Sequence, residues 1–168
     1  QGRREEARRR NTALPVPPER VSAVLLSHAH IDHTGNLPTW TRRGLRAPVF
    51  ATAATAELAG ILLRDSAHIQ EQDAEHVNQH RRPNDAPVEP LYTPADAETA
   101  AALLRPRAYN EWFEVLPGLR ARFTDAGHIL GSAGVTLEES DNGTTRRLAF
   151  TGDLGRAAPI LRDPESFG

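Results

Sequence analysis

Three imidazoles and a carboxylate fall within six consecutive positions of this chain: His28, His30, Asp32 and His33. Neutral imidazole and carboxylate are the ligands that borderline divalent ions such as Zn²⁺ accept, and a catalytic site keeps one coordination position for water. Four candidate ligands at this spacing point to a metal site. They follow Val21 to Leu26, a run that contains Val24, Leu25 and Leu26 and reads as a short buried strand ending where the histidines begin. On a loop leaving that strand, residues two apart and residues side by side face two neighbouring points in space, which one helix face could not do. Two ions roughly 3.5–4 Å apart could then share a hydroxide and clamp both the attacking and the leaving oxygen of a displacement.

Other elements must hold this loop in place. Arg3 to Arg10 alternates in charge and reads as an exposed, solvated helix; Asn11 to Arg20, with Pro15, Pro17 and Pro18, is a connector. After the histidines a short helix is expected from Asn36 to Leu45, with Trp40 in the core rather than as a stacking platform. Pro48 to Ala51 reads as a strand, and Thr52 as the N-cap of a long helix. In that helix Leu58, Ile61 and Leu62 mark one buried face, and a polar face continues to His80. His68, His76 and His80 lie there, but no further ligand is placed to complete a second metal site. Arg81 to Tyr92 is a loop with three prolines; Thr93 and Pro94 then open a helix expected to reach about Leu104, ahead of Pro106.

From Trp112 onward the hydrophobic period changes to two. Trp112, Glu114 and Leu116 alternate with Phe113 and Val115; Leu119, Ala121 and Phe123 line one face; Val135 and Leu137 do the same. Asp141-Asn142-Gly143 is a hairpin turn signal, and Leu148 and Phe150 close the last strand. Alternating β and α elements followed by a β-meander predict a mixed α/β (α+β) fold with αββα layering.

His28-x-His30-x-Asp32-His33 followed by Gly35 resembles the signature of the metallo-β-lactamase fold, a superfamily of mostly dinuclear zinc hydrolases. Two further segments support it: Asp125-Ala126-Gly127-His128-Ile129-Leu130-Gly131-Ser132 and Phe150-Thr151-Gly152-Asp153-Leu154-Gly155-Arg156. The resemblance implies one more metal-ligating histidine, His128, and a bridging aspartate, Asp153. His28, His30 and His128 would then hold one zinc, with Asp32 and His33 on a second. The wording of the His128 segment is similar to the β-CASP branch, the nucleic-acid-processing members related to the polyadenylation endonuclease subunit and to bacterial ribonucleases; so is Arg64 to Glu75. That implies RNA cleavage by a zinc-held water whose pKa falls to about 7, making it a hydroxide nucleophile. Asp32 is the candidate catalytic residue that orients this water. Ser132 is expected to stabilise a turn rather than to bind phosphate, and Gly35, Gly127, Gly131, Gly152 and Gly155 to let loops turn tightly near the metals.

Length and composition bound these expectations. The 168 residues, 39% hydrophobic, suffice for one core and ordinarily one domain. Cysteine is absent, so any zinc must be held by nitrogen and oxygen. All 20 basic residues are arginine, and the net charge of −2 argues against a wholly basic nucleic-acid surface. No apolar run is long enough to span a membrane and no signal-peptide pattern occurs, so a cytoplasmic chain is expected. Gln1 begins the chain and no methionine occurs in it, which predicts a fragment: a partial metallo-β-lactamase domain over 1–168, lacking the family's early strand, the β-CASP insertion and the last metal-ligating histidine. Unpaired sheet edges would then favour poor solubility or a homodimer. Two other readings share part of this evidence: a hydrolase of a small thioester, lactone or lactam, and a non-catalytic scaffold relative.

Overall fold

The computed structural model of the protein describes residues 11–141, 143–156 and 161–166. The charged segment 3–10, Asn142 of the expected turn and Phe167 lie outside the described residues. Two sheets form the centre. The first is parallel, in the order β1 (Val24–Leu25), β2 (Val49–Thr52), β3 (Leu104–Arg107). The second is an antiparallel meander of β4 (Phe113–Leu116), β5 (Leu119–Asp125), β6 (Ala133–Asp141) and β7 (Thr144–Phe150), hydrogen-bonded in that order. Four helices connect the parallel strands: α1 (Ile31–Thr34), α2 (Leu37–Arg42), α3 (Ala53–Gln79) and α4 (Pro94–Ala101).

The sandwich has two cores because β2 is buried on both faces, as a continuous apolar run in a parallel sheet requires. Val49 and Ala51 join Leu37, Leu45, Leu63 and Tyr92 between the first sheet and the helices. Phe50 points the other way and meets Val115, Ala121, Phe123 and Val135 between the sheets. Helices, parallel sheet and meander are thus three successive layers of the expected αββα architecture; among the described residues no helix follows β4.

Most expected elements are present, with four differences. The strand before the histidines is only Val24–Leu25, preceded by a 3-10 turn over Pro18–Arg20. The histidine motif is not all loop: α1 begins at Ile31, inside it, with His30 as N-cap. The helix opened by Thr93 ends at Ala101, and Leu104–Arg107 is instead a strand on the edge of the parallel sheet, where Pro106 lacks an N–H to offer but costs least. Finally, α3 does not bury Ile61, which is 60% exposed. Its inner face is Ala56, Ala59, Gly60, Leu63, Ala67 and Ala74, small residues that let the helix approach α4 and the sheet closely. Thr52 does cap α3, its hydroxyl accepting from Thr55 N at 3.2 Å, and Thr93 with Asp96 forms a capping box on α4. Trp40 packs on the helix-side core.

Candidate metal centre

Strand direction explains why the motifs meet. In the parallel sheet all three carboxyl ends lie at one edge, and β5 and β7, each antiparallel to β6 between them, run parallel to one another. His28 follows the carboxyl end of β1, His128 that of β5, and Asp153 that of β7. The loops are tied across the sheets: Ala133 N, at the start of β6, donates to Ser27 O at 2.7 Å, and Gly155 N donates to Ala126 O at 2.9 Å. A Cβ on Gly155 would run into the Gly127 carbonyl, so the His128 and Asp153 loops touch backbone to backbone.

The four ligand atoms that converge belong to His28, His30, His128 and Asp153, all within 4.8 Å of one another. His30 Nδ1 lies 3.1 Å from His28 Nε2 and 3.3 Å from His128 Nε2. Asp153 Oδ2 completes the group, 3.8 Å from His28 Nε2 and 3.6 Å from His128 Nε2. One imidazole lone pair cannot accept from both neighbours, whereas a cation at the common point serves all four atoms at once. Tetrahedral zinc with bonds of about 2.0–2.1 Å sets neighbouring nitrogens roughly 3.3–3.4 Å apart, close to the spacings here. The residues present therefore fit a divalent cation held by nitrogen and oxygen.

Asp32 and His33 stand beside this group rather than within it. His33 Nε2 is 3.6 Å from the other oxygen of Asp153, Oδ1, and 3.8 Å from Asp32 Oδ2. Asp153 thus faces the three-histidine cluster with one oxygen and His33 with the other. The His28 and His33 rings are 4.1 Å apart at their centroids. His28 is the buried member, and burial, reinforced by neighbouring His33 and His30, lowers its pKa to about 4. It is neutral at pH 7, as a ligand must be. Its Nδ1 is 3.1 Å from Ser27 Oγ, so an imidazole that donates from Nδ1 to this hydroxyl presents its Nε2 lone pair to the cluster.

The turn after His128 is held equally firmly. Ser132 Oγ accepts from the backbone N–H of His128 at 3.0 Å and of Ile129 at 3.2 Å, the turn-stabilising part expected of it. Gly131 has φ of +84°, and an added Cβ would stand 2.5 Å from Thr55 N. Residues whose importance the sequence did not signal are Ser27, Thr55 and Tyr109, which touch these loops, as does Thr52, expected only as a helix cap. His68 and His76 lie on α3 and His80 caps its end, all outside the cluster.

The sequence matches the family described as beta-lactamase superfamily domain over residues 2–163. The chain belongs to that superfamily. It is 40% identical over 162 residues to a ribonuclease of Thermus thermophilus, a match covering 96% of this chain and 32% of the relative. Transcription termination factor FttA of Methanococcus maripaludis is 30% identical over 146 residues, 87% of this chain and 21% of that protein, and FttA of Thermococcus kodakarensis is 35% identical over 145 residues, 86% and 20%. These are β-CASP proteins, so the branch implied by the His128 segment holds. The superfamily chain spans about a third or less of the length of the relatives it matches. Among solved structures, the subclass B3 metallo-β-lactamase MEM-A1 from a soil metagenome aligns with a TM-score of 0.47 and 22% identity, over 81% of this chain and 43% of its own. Among the described residues no helix is long and apolar enough to cross a membrane.

Proposed function

We propose that this chain carries the metal centre of a zinc-dependent ribonuclease that hydrolyses RNA phosphodiester bonds. The observation that carries the reading is the convergence of His28 Nε2, His30 Nδ1, His128 Nε2 and Asp153 Oδ2 on one point, in a chain 40% identical to a protein named as a ribonuclease. The termination factors among the relatives also favour RNA. His28, His30 and His128 would hold one zinc and Asp32 and His33 would serve a second; Asp153 turns one oxygen toward His128 and the other toward His33. Zinc in these positions lowers the pKa of a water to about 7 and offsets negative charge on the phosphate oxygens.

The protein's own groups do the rest. Burial keeps His28 neutral, and Ser27 orients it. The Asp32 carboxylate, 80% exposed, is open to the solvent side of the site and can accept a hydrogen bond from the attacking water, setting its line of approach.

The test is cleavage of an end-labelled single-stranded RNA by the zinc-loaded protein, with a His30→Ala variant beside it. Cleavage by the parent and loss of it in the variant is the expected result. Equal cleavage by both, or no cleavage of RNA alongside turnover of a thioester or lactone, overturns the proposal.

A further inference from the structure

The turn that follows His128 is gripped through two neighbouring carbonyls. Gly131 O accepts from Thr52 Oγ1 at 2.6 Å and from Thr55 Oγ1 at 2.7 Å, both at the start of α3. Ser132 O accepts from Ala126 N at 3.1 Å and from the Tyr109 hydroxyl at 2.8 Å. Ser132 in turn holds the backbone of His128 and Ile129 through its own hydroxyl. A path of four groups thus runs from Tyr109 to the backbone of a candidate ligand.

The chain spends conformational energy to put Tyr109 there. Tyr109 sits in an isolated bridge beside Phe123 of β5, and the next residue, Asn110, has φ of +62°, the sole non-glycine in the left-handed region among the described residues. Asn110 N donates to Phe123 O at 2.8 Å, and its side-chain amide donates to Glu165 Oε2 at 2.9 Å. Glu165 N donates to Asp125 O at 2.8 Å, which closes the ring onto the same loop. A left-handed residue held by two hydrogen bonds, one of them through Glu165 back to Asp125, next to the loop that carries His128 is what a preorganising contact requires.

We propose that Tyr109 is a positioning residue of the metal centre, holding the turn after His128 so that this imidazole meets those of His28 and His30. The inference rests on the reading of the cluster as a zinc site. Burial, with the charge of Asp125 adding to it, pushes the phenol up to about 12, so Tyr109 remains a donor wherever zinc binds. Phenylalanine at this position keeps the ring packing and removes the hydroxyl, which donates to Ser132 O and also interacts with the Thr52 side chain.

The experiment compares the protein with its Tyr109→Phe variant, using zinc ion alone as the probe in competition with a chelator. Outer partners of metal ligands are worth about 10–100-fold in affinity; one bond further out, a loss of about 3–10-fold is expected. The same substitution in a His128→Ala background changes zinc affinity by less than about twofold, because Tyr109 acts through His128. In the metal-free protein, amide exchange at His128 and Ile129 quickens in Y109F. Unchanged zinc affinity and exchange rates, with or without a lower melting midpoint, overturn the inference and leave the zinc reading standing. So does an equal loss of affinity in both backgrounds, which means general loosening. A parent protein that binds no zinc overturns the zinc reading and this inference with it.

Discussion

Asp153 faces two sides of the site at once, and its substitution is the most informative change at the scale of one residue. One oxygen lies 3.6 Å from His128 and the other 3.6 Å from His33. Asp153→Asn keeps the shape but turns one ligand atom into a donor that cannot coordinate. We expect zinc affinity to fall by more than the roughly 10–100-fold typical of losing an outer partner, seen as metal lost from the chain on dialysis. Asp32→Asn, at an exposed position beside the cluster, should retain the ion held by the three histidines and weaken only the second position. An Asp153→Asn protein with the parent's zinc content would remove Asp153 from the site. At this scale His28, His30, Asp32 and His33 were legible because they are contiguous, and His128 and Asp153 through the resemblance that carried them. Ser27, Thr55 and Tyr109 were not, and Thr52 was legible only as a helix cap. Each acts through a contact with residues elsewhere in the chain, and a tyrosine followed by an asparagine has no local pattern that announces a positive φ.

At the scale of elements, two features give measurable consequences. Gly131→Ala forces a side chain into the left-handed region and against Thr55 N, so the β5–β6 connection has to shift. A loss on the order of 1–3 kcal/mol is expected in urea unfolding, and a stability equal to the parent's would show that the turn yields freely. On the meander, the buried Glu138 of β6 accepts from Arg147 Nε of β7 and Arg120 Nε of β5, each at 2.7 Å. These bonds, that to Arg147 foremost, hold its carboxyl below the usual carboxylate range. A depressed acid binds its proton more weakly in the folded than in the unfolded chain. Its stabilisation is therefore present above the ordinary value near 4.5 and lost as pH falls below it. Glu138→Gln should flatten that part of the stability profile, and an unchanged acid limb would assign the effect elsewhere. The meander was readable from its alternation. The inner face of α3 was not, because Leu58, Ile61 and Leu62 satisfy a helical stripe as well as Ala56, Ala59 and Leu63 do, and only packing against α4 decides between them. Pro106 misled in the same way: it was read as the stop of a helix reaching about Leu104, whereas the helix ends at Ala101 and Pro106 lies in an edge strand that depends on β2 alongside.

For the whole molecule, exposure is concentrated where the meander ends. Leu148 and Phe150 pair with Leu137 and Val135, on the face that elsewhere forms the inter-sheet core, yet they are 62% and 56% exposed. With β7 at the sheet edge, the 168-residue chain should self-associate, and Leu148→Thr with Phe150→Thr should shift sedimentation toward monomer. A parent chain that sediments as monomer at every concentration tested would contradict this. The separation of the ligands along the chain has a kinetic consequence as well. His28 and His128 are roughly 100 residues apart, so the cluster cannot be completed before both sheets have docked, and the entropy of bringing those ends together is met by packing rather than by the ion. A cation that binds only the finished arrangement leaves the folding barrier where it is and deepens the native well behind it. Zinc should then slow unfolding in proportion to the affinity gained and leave the refolding rate unchanged in stopped-flow chevrons, while faster refolding with zinc would mean that the histidines meet early. In a chain without a single cysteine, a bound ion would do the work of a cross-link fastened last, and its removal would set the lifetime of the fold rather than its speed of formation.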